Sequence, residues 1–217
     1  MQAPNFLLIS DPRIWAIPVQ ECHEGMIDVR ELNLEINNKR SMYYDRYTEV
    51  RESVAMRLAQ AIDFLPNGYT ILFSEGHRPI DLQEQMYNEY YAELASAHPD
   101  WSEETLYQET TMFIASPEDV PPHSTGGAID LTLLDENGME LDMGSPLDEA
   151  PNKNEQRNFT FAQNVSDQAK ANRKILFDAM TKAGFVNYPA EWWHWSYGDK
   201  YWAQHVKSPH AIYGSVG

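Results

Sequence analysis

"HSTGGAIDLTLL", residues 123–134, sets an aspartate in the middle of a run that otherwise reads as a buried strand. Ala128, Ile129, Leu131, Thr132, Leu133 and Leu134 are apolar or suited to a strand, and Asp135-Glu136-Asn137-Gly138 closes the run with a turn signal. A two-residue period puts Ala128, Asp130 and Thr132 on one face, and Ile129, Leu131 and Leu133 on the other. An ionised carboxylate facing an interior is costly unless something positive meets it. The sequence points to a metal ion.

Working outward from that strand, "YTILFSE" (69–75) predicts a second one. Gly76-His77-Arg78-Pro79 then turns the chain, and Pro79 suits the first turn of a helix over 80–97. Between 45 and 65, Val54, Leu58, Ala61 and Leu65 recur at helical spacing, and Pro66-Asn67-Gly68 stops the run. A further helix is predicted over 102–114, with Asp100 and Ser102 as candidate caps. The stretch 135–165 reads as mostly irregular. Ser166 then caps a helix whose Ala171, Ile175 and Ala179, with Leu176 and Met180, form an apolar stripe ended by Gly184. "FVNYPAEWWHWSYGDKYW" (185–202) reads as aromatic and extended, and the proline-rich residues 1–40 as an extended segment wrapping the body. Helices before and after a small, mostly antiparallel sheet predict an α+β fold in one domain over 1–217.

The totals narrow the function. Acidic residues outnumber basic ones 33 to 16, giving a net charge of -17. That balance argues against nucleic acid and anionic membrane as partners, while a small zwitterionic substrate is tolerated. Cys22 is the only cysteine, so no internal disulfide or thiolate-rich zinc site can form, and any metal must be held by imidazole and carboxylate. "MQAPNFLLISDPRIWAIPV" (1–19) does not read as a signal peptide and no stretch approaches spanning length. A cytoplasmic location is the expectation, with a periplasmic one if an export signal has been removed.

Of seven histidines, two lie in contexts suited to chemistry. His123 sits just before Gly126-Gly127, where the backbone can turn tightly into the strand, and Asp130 follows seven residues later. His194 lies in "EWWHW" (191–195), among tryptophans able to shield a site from water. Two imidazoles and one carboxylate leave a fourth position open, which is the pattern of a catalytic rather than a structural zinc, one ion per chain.

Glu191 precedes His194 by three residues, an odd separation that a regular strand would place on the opposite face. A turn after Pro189 is predicted to leave it at the strand's mouth, near the metal but not bound to it. There it would serve as general base toward a water whose pKa zinc lowers from about 15.7 to roughly 7. Arg78, leaving strand 69–75 at a predicted rim position, suits an oxyanion donor. Trp192, Trp193, Trp195 and Trp202 read as core and pocket wall rather than a carbohydrate platform. Cys22-His23 is too close in sequence to act as nucleophile and base, and His98, His205 and His210 receive no role.

"HSTGGAIDLTL" together with "EWWHW" resembles the D-alanyl-D-alanine dipeptidases, zinc enzymes associated with vancomycin resistance and D-Ala-D-Ala catabolism. The family pattern, Ser-x-His-x-x-Gly-x-Ala-x-Asp and a distant Glu-x-x-His, is met by His123, Gly126, Ala128 and Asp130, then by Glu191 and His194. The likeness continues in Arg78-Pro79, "MGSPLDE" (143–149) and "AGFVNYPAEWWHW" (183–195), from about residue 26 onward. It implies zinc on His123, Asp130 and His194, Glu191 as base, Arg78 as oxyanion stabiliser, and Asp148 holding the ammonium group of a dipeptide substrate.

Two positions depart from the pattern. Pro121 stands where the family has serine, which removes a hydroxyl and a backbone donor, and His77 replaces an aromatic and is expected to alter the pocket wall. Two other readings follow from the same residues: a D,D- or L,D-carboxypeptidase or endopeptidase acting on peptidoglycan stem peptides, and a non-catalytic zinc-dependent peptide- or glycan-binding module.

Overall fold

In the computed structural model, residues 6–32, 34–149 and 155–216 are described. A one-turn helix, α1 (Pro12–Trp15), is capped by the Asp11 side chain and followed by β1 (Met26–Asp28) and β2 (Glu35–Ile36). Next come β3 (Glu49–Arg51), α2 (Glu52–Asp63), β4 (Thr70–Glu75), α3 (Ile80–Ala97) and α4 (Glu103–Thr111). The second half holds β5 (Ala128–Leu134), α5 (Asp167–Lys182), β6 (Val186–Asn187), β7 (His194–Ser196) and α6 (Lys200–Val206). The fold is α+β, with a five-stranded sheet in the order β2-β4-β5-β7-β6. All its neighbours run antiparallel except β2 and β4.

The strand that opens the sequence reading is central to this sheet and buried along its whole length. Ile129, Leu131 and Leu133, with Ile71 and Phe73 of β4, form one apolar face. Against it pack Val54, Ala55, Leu58 and Ala61 of α2, and Leu176, Ala179 and Met180 of α5. Each large side chain removed from water here contributes about 1.5–3 kcal/mol, which makes this layer the main source of cohesion. The other face carries Thr132 and Asp130. Thr132 faces Leu72, but the register then slips between Phe73 and Glu75, so Glu75 rather than Ser74 stands opposite Asp130. This bulge turns Glu75 away from the core and onto the polar face.

Four sequence expectations need correction. The helix read from 45 begins only at Glu52, because Arg46–Thr48 turns as a 3-10 helix and β3 pairs with β1. The carbonyls of Tyr47 and Glu49 are committed to the amides of Gly76 and His77, at 2.6 and 2.7 Å, so the segment cannot continue a helical ladder. Asp100 is not a cap: Ser102 alone caps α4, accepting from the Thr105 amide. The stretch 185–202 is extended only in part, since the Asp199 side chain accepts from the Trp202 amide and starts α6. Residues 6–40 are not extended throughout but include α1 and two 3-10 turns, while residues 1–5 and residues 150–154 of the 135–165 stretch lie outside the described residues.

Candidate active site

Three side chains come into line across the sheet. Glu75 on β4, Asp130 on β5 and His194 on β7 are register partners in sequence, so all three project from the same face. A fourth, His123, comes from outside the sheet on the 3-10 turn Pro122–Thr125. Gly126 ends that turn at φ +69, where any Cβ would also meet the Met26 side chain at 2.6 Å. The glycine is therefore what lets the chain drop from His123 directly into β5. His123 Nδ1 lies 2.8 Å from the Gly76 carbonyl. A carbonyl only accepts, so Nδ1 carries the proton and Nε2 is left as a donor of its lone pair.

That lone pair faces Asp130 and His194. His123 Nε2, Asp130 Oδ1 and His194 Nδ1 form a triangle with sides of 3.2, 3.4 and 3.1 Å. Ligands about 2.0–2.1 Å from a tetrahedral ion are separated by about 3.3 Å, so the donor set has the dimensions of a zinc site. Its chemistry fits as well, two imidazoles and a carboxylate, and Asp130 Oδ1 is buried without a well-formed hydrogen bond. Burial by itself would raise the Asp130 carboxyl, but His123 and His194 outweigh it and hold it well below the usual range. Burial likewise opposes protonation of His123, and Asp130 overcomes that and pulls it upward. Among the described residues, these three side chains form one group able to hold an ion.

Glu191 sits beside this triangle, with Oε2 3.7 Å from His194 Nδ1. The predicted turn is present: the Glu191 amide donates to the Tyr188 carbonyl and the His194 amide to the Glu191 carbonyl. Asn187 Nδ2 pins both ends of it by donating to the carbonyls of Glu191 and His194. Burial pushes the Glu191 carboxyl far above its ordinary range, and the nearby Asp130 and Asp148 carboxylates add to the effect. A carboxyl so placed accepts a proton readily.

Arg78 is not at a rim. It is 8% exposed, and its guanidinium is gripped by Glu75 through Nε and Nη2, at 2.6 and 2.7 Å, and by Gln83 through Nη1 at 2.9 Å. Glu75 is one residue that sequence reasoning missed. It also accepts from the Tyr44 hydroxyl and pairs with Arg40 at 3.0 Å. These cations outweigh burial and hold its carboxyl down to about 2. Read with a strict two-residue period, Glu75 falls on the face of Ile71 and Phe73, and no sequence signal marks the bulge that moves it.

Asp148 lies at the same pocket, a carboxylate oxygen of each of Glu75, Asp130 and Asp148 being within 4.8 Å of the others. The cavity is small, about 140 Å³ against the roughly 300–1,000 Å³ usual for drug-sized ligands. Arg40, Met86, Phe113, Ile114 and Trp193 contribute to its walls. Trp192, Trp193 and Trp195 are buried, as the core and wall reading expected, whereas Trp202 is only half-buried, and Trp192 Nε1 ties the Ser145 hydroxyl of the "MGSP" loop to this layer. His77 does not line the pocket: it is buried away from it, with Nε2 3.3 Å from the Val216 carbonyl.

The family match identifies the class: the chain is a metallopeptidase. More narrowly, the chain belongs to the D-Ala-D-Ala dipeptidase family, peptidase family M15, whose model matches residues 32–211. A D-alanyl-D-alanine dipeptidase of Synechocystis sp. is 31% identical over 242 residues, covering 93% of this chain and 95% of that one. The D-alanyl-D-alanine dipeptidase of Escherichia coli is 46% identical over a shorter stretch of 72 residues, 33% of this chain and 35% of that one. Among solved structures, the LD-carboxypeptidase LdcB matches with a TM-score of 0.50 at 18% identity, over 87% of this chain and 74% of that one, a likeness of fold alone. Among the described residues no helix is long and apolar enough to cross a membrane.

Proposed function

We propose that the protein is a single-domain, cytoplasmic zinc peptidase that hydrolyses D-Ala-D-Ala or a similar small dipeptide. His123, Asp130 and His194 would hold one zinc ion per chain. When bound, the ion would supply Lewis acidity toward a carbonyl oxygen and lower the pKa of water. Glu191, buried beside the ligand triangle, takes the proton of the attacking water and passes it to the leaving amine. Arg78 uses three of its five N–H groups on Glu75 and Gln83, and the others donate to the carbonyl oxygen as negative charge grows on it.

The observation that carries the dipeptide reading is the place of Asp148. Its carboxylate comes within 4.8 Å of that of Asp130, one of the three metal-facing groups. In a peptide whose scissile carbonyl lies at that centre, the α-ammonium of the same residue is the cation within such reach. Asp148 therefore selects substrates cut immediately after their N-terminal residue, and the small cavity favours short ones. A panel of D,D, L,D and L,L dipeptides, D-Ala-D-Ala with an acetylated amine, and a tetrapeptide tests this, each assayed with and without chelator. Chelator-sensitive cleavage of the free D,D-dipeptide above all others is expected. Faster cleavage of the tetrapeptide would overturn the reading in favour of a stem-peptide carboxypeptidase.

A further inference from the structure

Arg40 belongs to neither sequence motif, yet it reaches the site from the 3-10 turn Asn38–Met42. That turn is fixed to the sheet: the Asn37 amide donates to the Phe73 carbonyl at 2.8 Å, and the Tyr47 hydroxyl to Asn38 Oδ1 at 3.1 Å. From it, Arg40 Nη2 stands 3.0 Å from Glu75 Oε2 and 2.8 Å from Asp148 Oδ2. The Arg40 side chain is only 18% exposed, whereas that of Asp148 is 38% exposed. Asp148 also has a backbone φ of +66, a left-handed conformation that disfavours a residue with a Cβ. The bond from Arg40 ties the carboxylate of this aspartate to the buried Glu75.

We propose that Arg40 is a specificity-determining positioning residue: it holds Asp148 at the distance from the metal-facing groups that recognises a free α-ammonium. The inference rests on Asp148 being the ammonium anchor. Glu75 Oε2 accepts from both Arg78 and Arg40, so one buried carboxylate sets the spacing between the carbonyl-facing guanidinium and the amine-facing aspartate. Arg40 bonds Oδ2 of Asp148 and so fixes the direction of its carboxylate. Its charge also relieves the crowding of Glu75, Asp130 and Asp148, which would otherwise drive the loop bearing Asp148 outward.

The test compares kcat and KM of the zinc-loaded wild type, Arg40→Ala, Arg40→Lys and Asp148→Asn on D-Ala-D-Ala, with the Ki of N-acetyl-D-Ala-D-Ala as the blocked-amine competitor. Wild type should bind the free dipeptide far better than the blocked one. Arg40→Ala should raise KM for the free dipeptide at least tenfold, with kcat within about threefold and Ki for the blocked peptide unchanged, so that discrimination collapses. Arg40→Lys should restore part of it, and Asp148→Asn should match Arg40→Ala, the double variant being no worse than either single one. Discrimination kept in Arg40→Ala, or a fall in kcat with KM unchanged, overturns the role of Arg40 while leaving Asp148 as anchor. Absence of discrimination in wild type instead removes the anchor reading itself. If Arg40→Ala fails to fold, Arg40→Met, which fills the space without the charge, decides: wild-type discrimination in it counts against the proposal.

Discussion

At the scale of single residues, the proposed function assigns His123, Asp130 and His194 to an ion and Glu191 to proton transfer. Glu191 is adjacent to the ligand triangle but outside it, so Glu191→Ala should lower kcat by about a hundred- to ten-thousandfold while zinc content, read by atomic absorption, stays at one per chain. Glu75 titrates in a direction that can be worked out. Its folded pKa is depressed to about 2, so its contribution to stability is complete above the unfolded value near 4.5 and is lost as pH falls through about 2. That contribution is on the order of 3 kcal/mol. Urea unfolding between pH 6 and 2.5 should show a decline that is shallower in Glu75→Gln. A Glu75→Gln curve parallel to wild type would mean that Glu75 is not held down by Arg78 and Arg40. His123, Asp130, His194 and Glu191 were legible in the sequence because each lies in a short, fixed local frame: glycines after one, a β period around another, a turn between the last two. Glu75 and Arg40 were not, because a bulge and a long side chain crossing from a distant turn leave no periodic trace.

At the scale of elements, the turn after β4 does more than reverse the chain. The Gly76 carbonyl fixes the His123 tautomer, and its amide is tied to Tyr47. A Cβ at Gly76 would lie 2.5 Å from the Glu49 carbonyl oxygen and 2.7 Å from Val50 Cγ1, neither of them the end of a flexible chain. Gly76→Ala should therefore cost about 1–3 kcal/mol in denaturant unfolding and weaken zinc binding together, because the forced shift moves the histidine's acceptor. Destabilisation with metal affinity intact would show that the turn and the ligand are not coupled. The elements themselves were readable wherever burial is one-sided, as in α2, α5 and β5. They were misread at 45–51 and 199–202, where the deciding interactions are backbone bonds to the site turn and a single aspartate cap.

At the scale of the whole molecule, the sheet sorts its two faces by purpose: apolar side chains against α2 and α5, and charged ones into the small cavity. The charged face carries a cost that an ion would offset. At a zinc concentration a thousandfold above Kd, binding to the folded state adds about 4 kcal/mol. For a chain of this size each kcal/mol moves the melting temperature by roughly 2–4 °C, so removing zinc should lower Tm by about 8–16 °C. An equal Tm with and without chelator would argue that the charged face is stable by itself.

The most direct test is a crystal structure of zinc-loaded protein with anomalous data collected on both sides of the zinc edge. A single strong peak bonded to His123 Nε2, Asp130 Oδ1 and His194 Nδ1 at about 2.0–2.2 Å, with Glu191 outside bonding distance, is the predicted result. A peak held by other residues, or none at full zinc occupancy in solution, would contradict it.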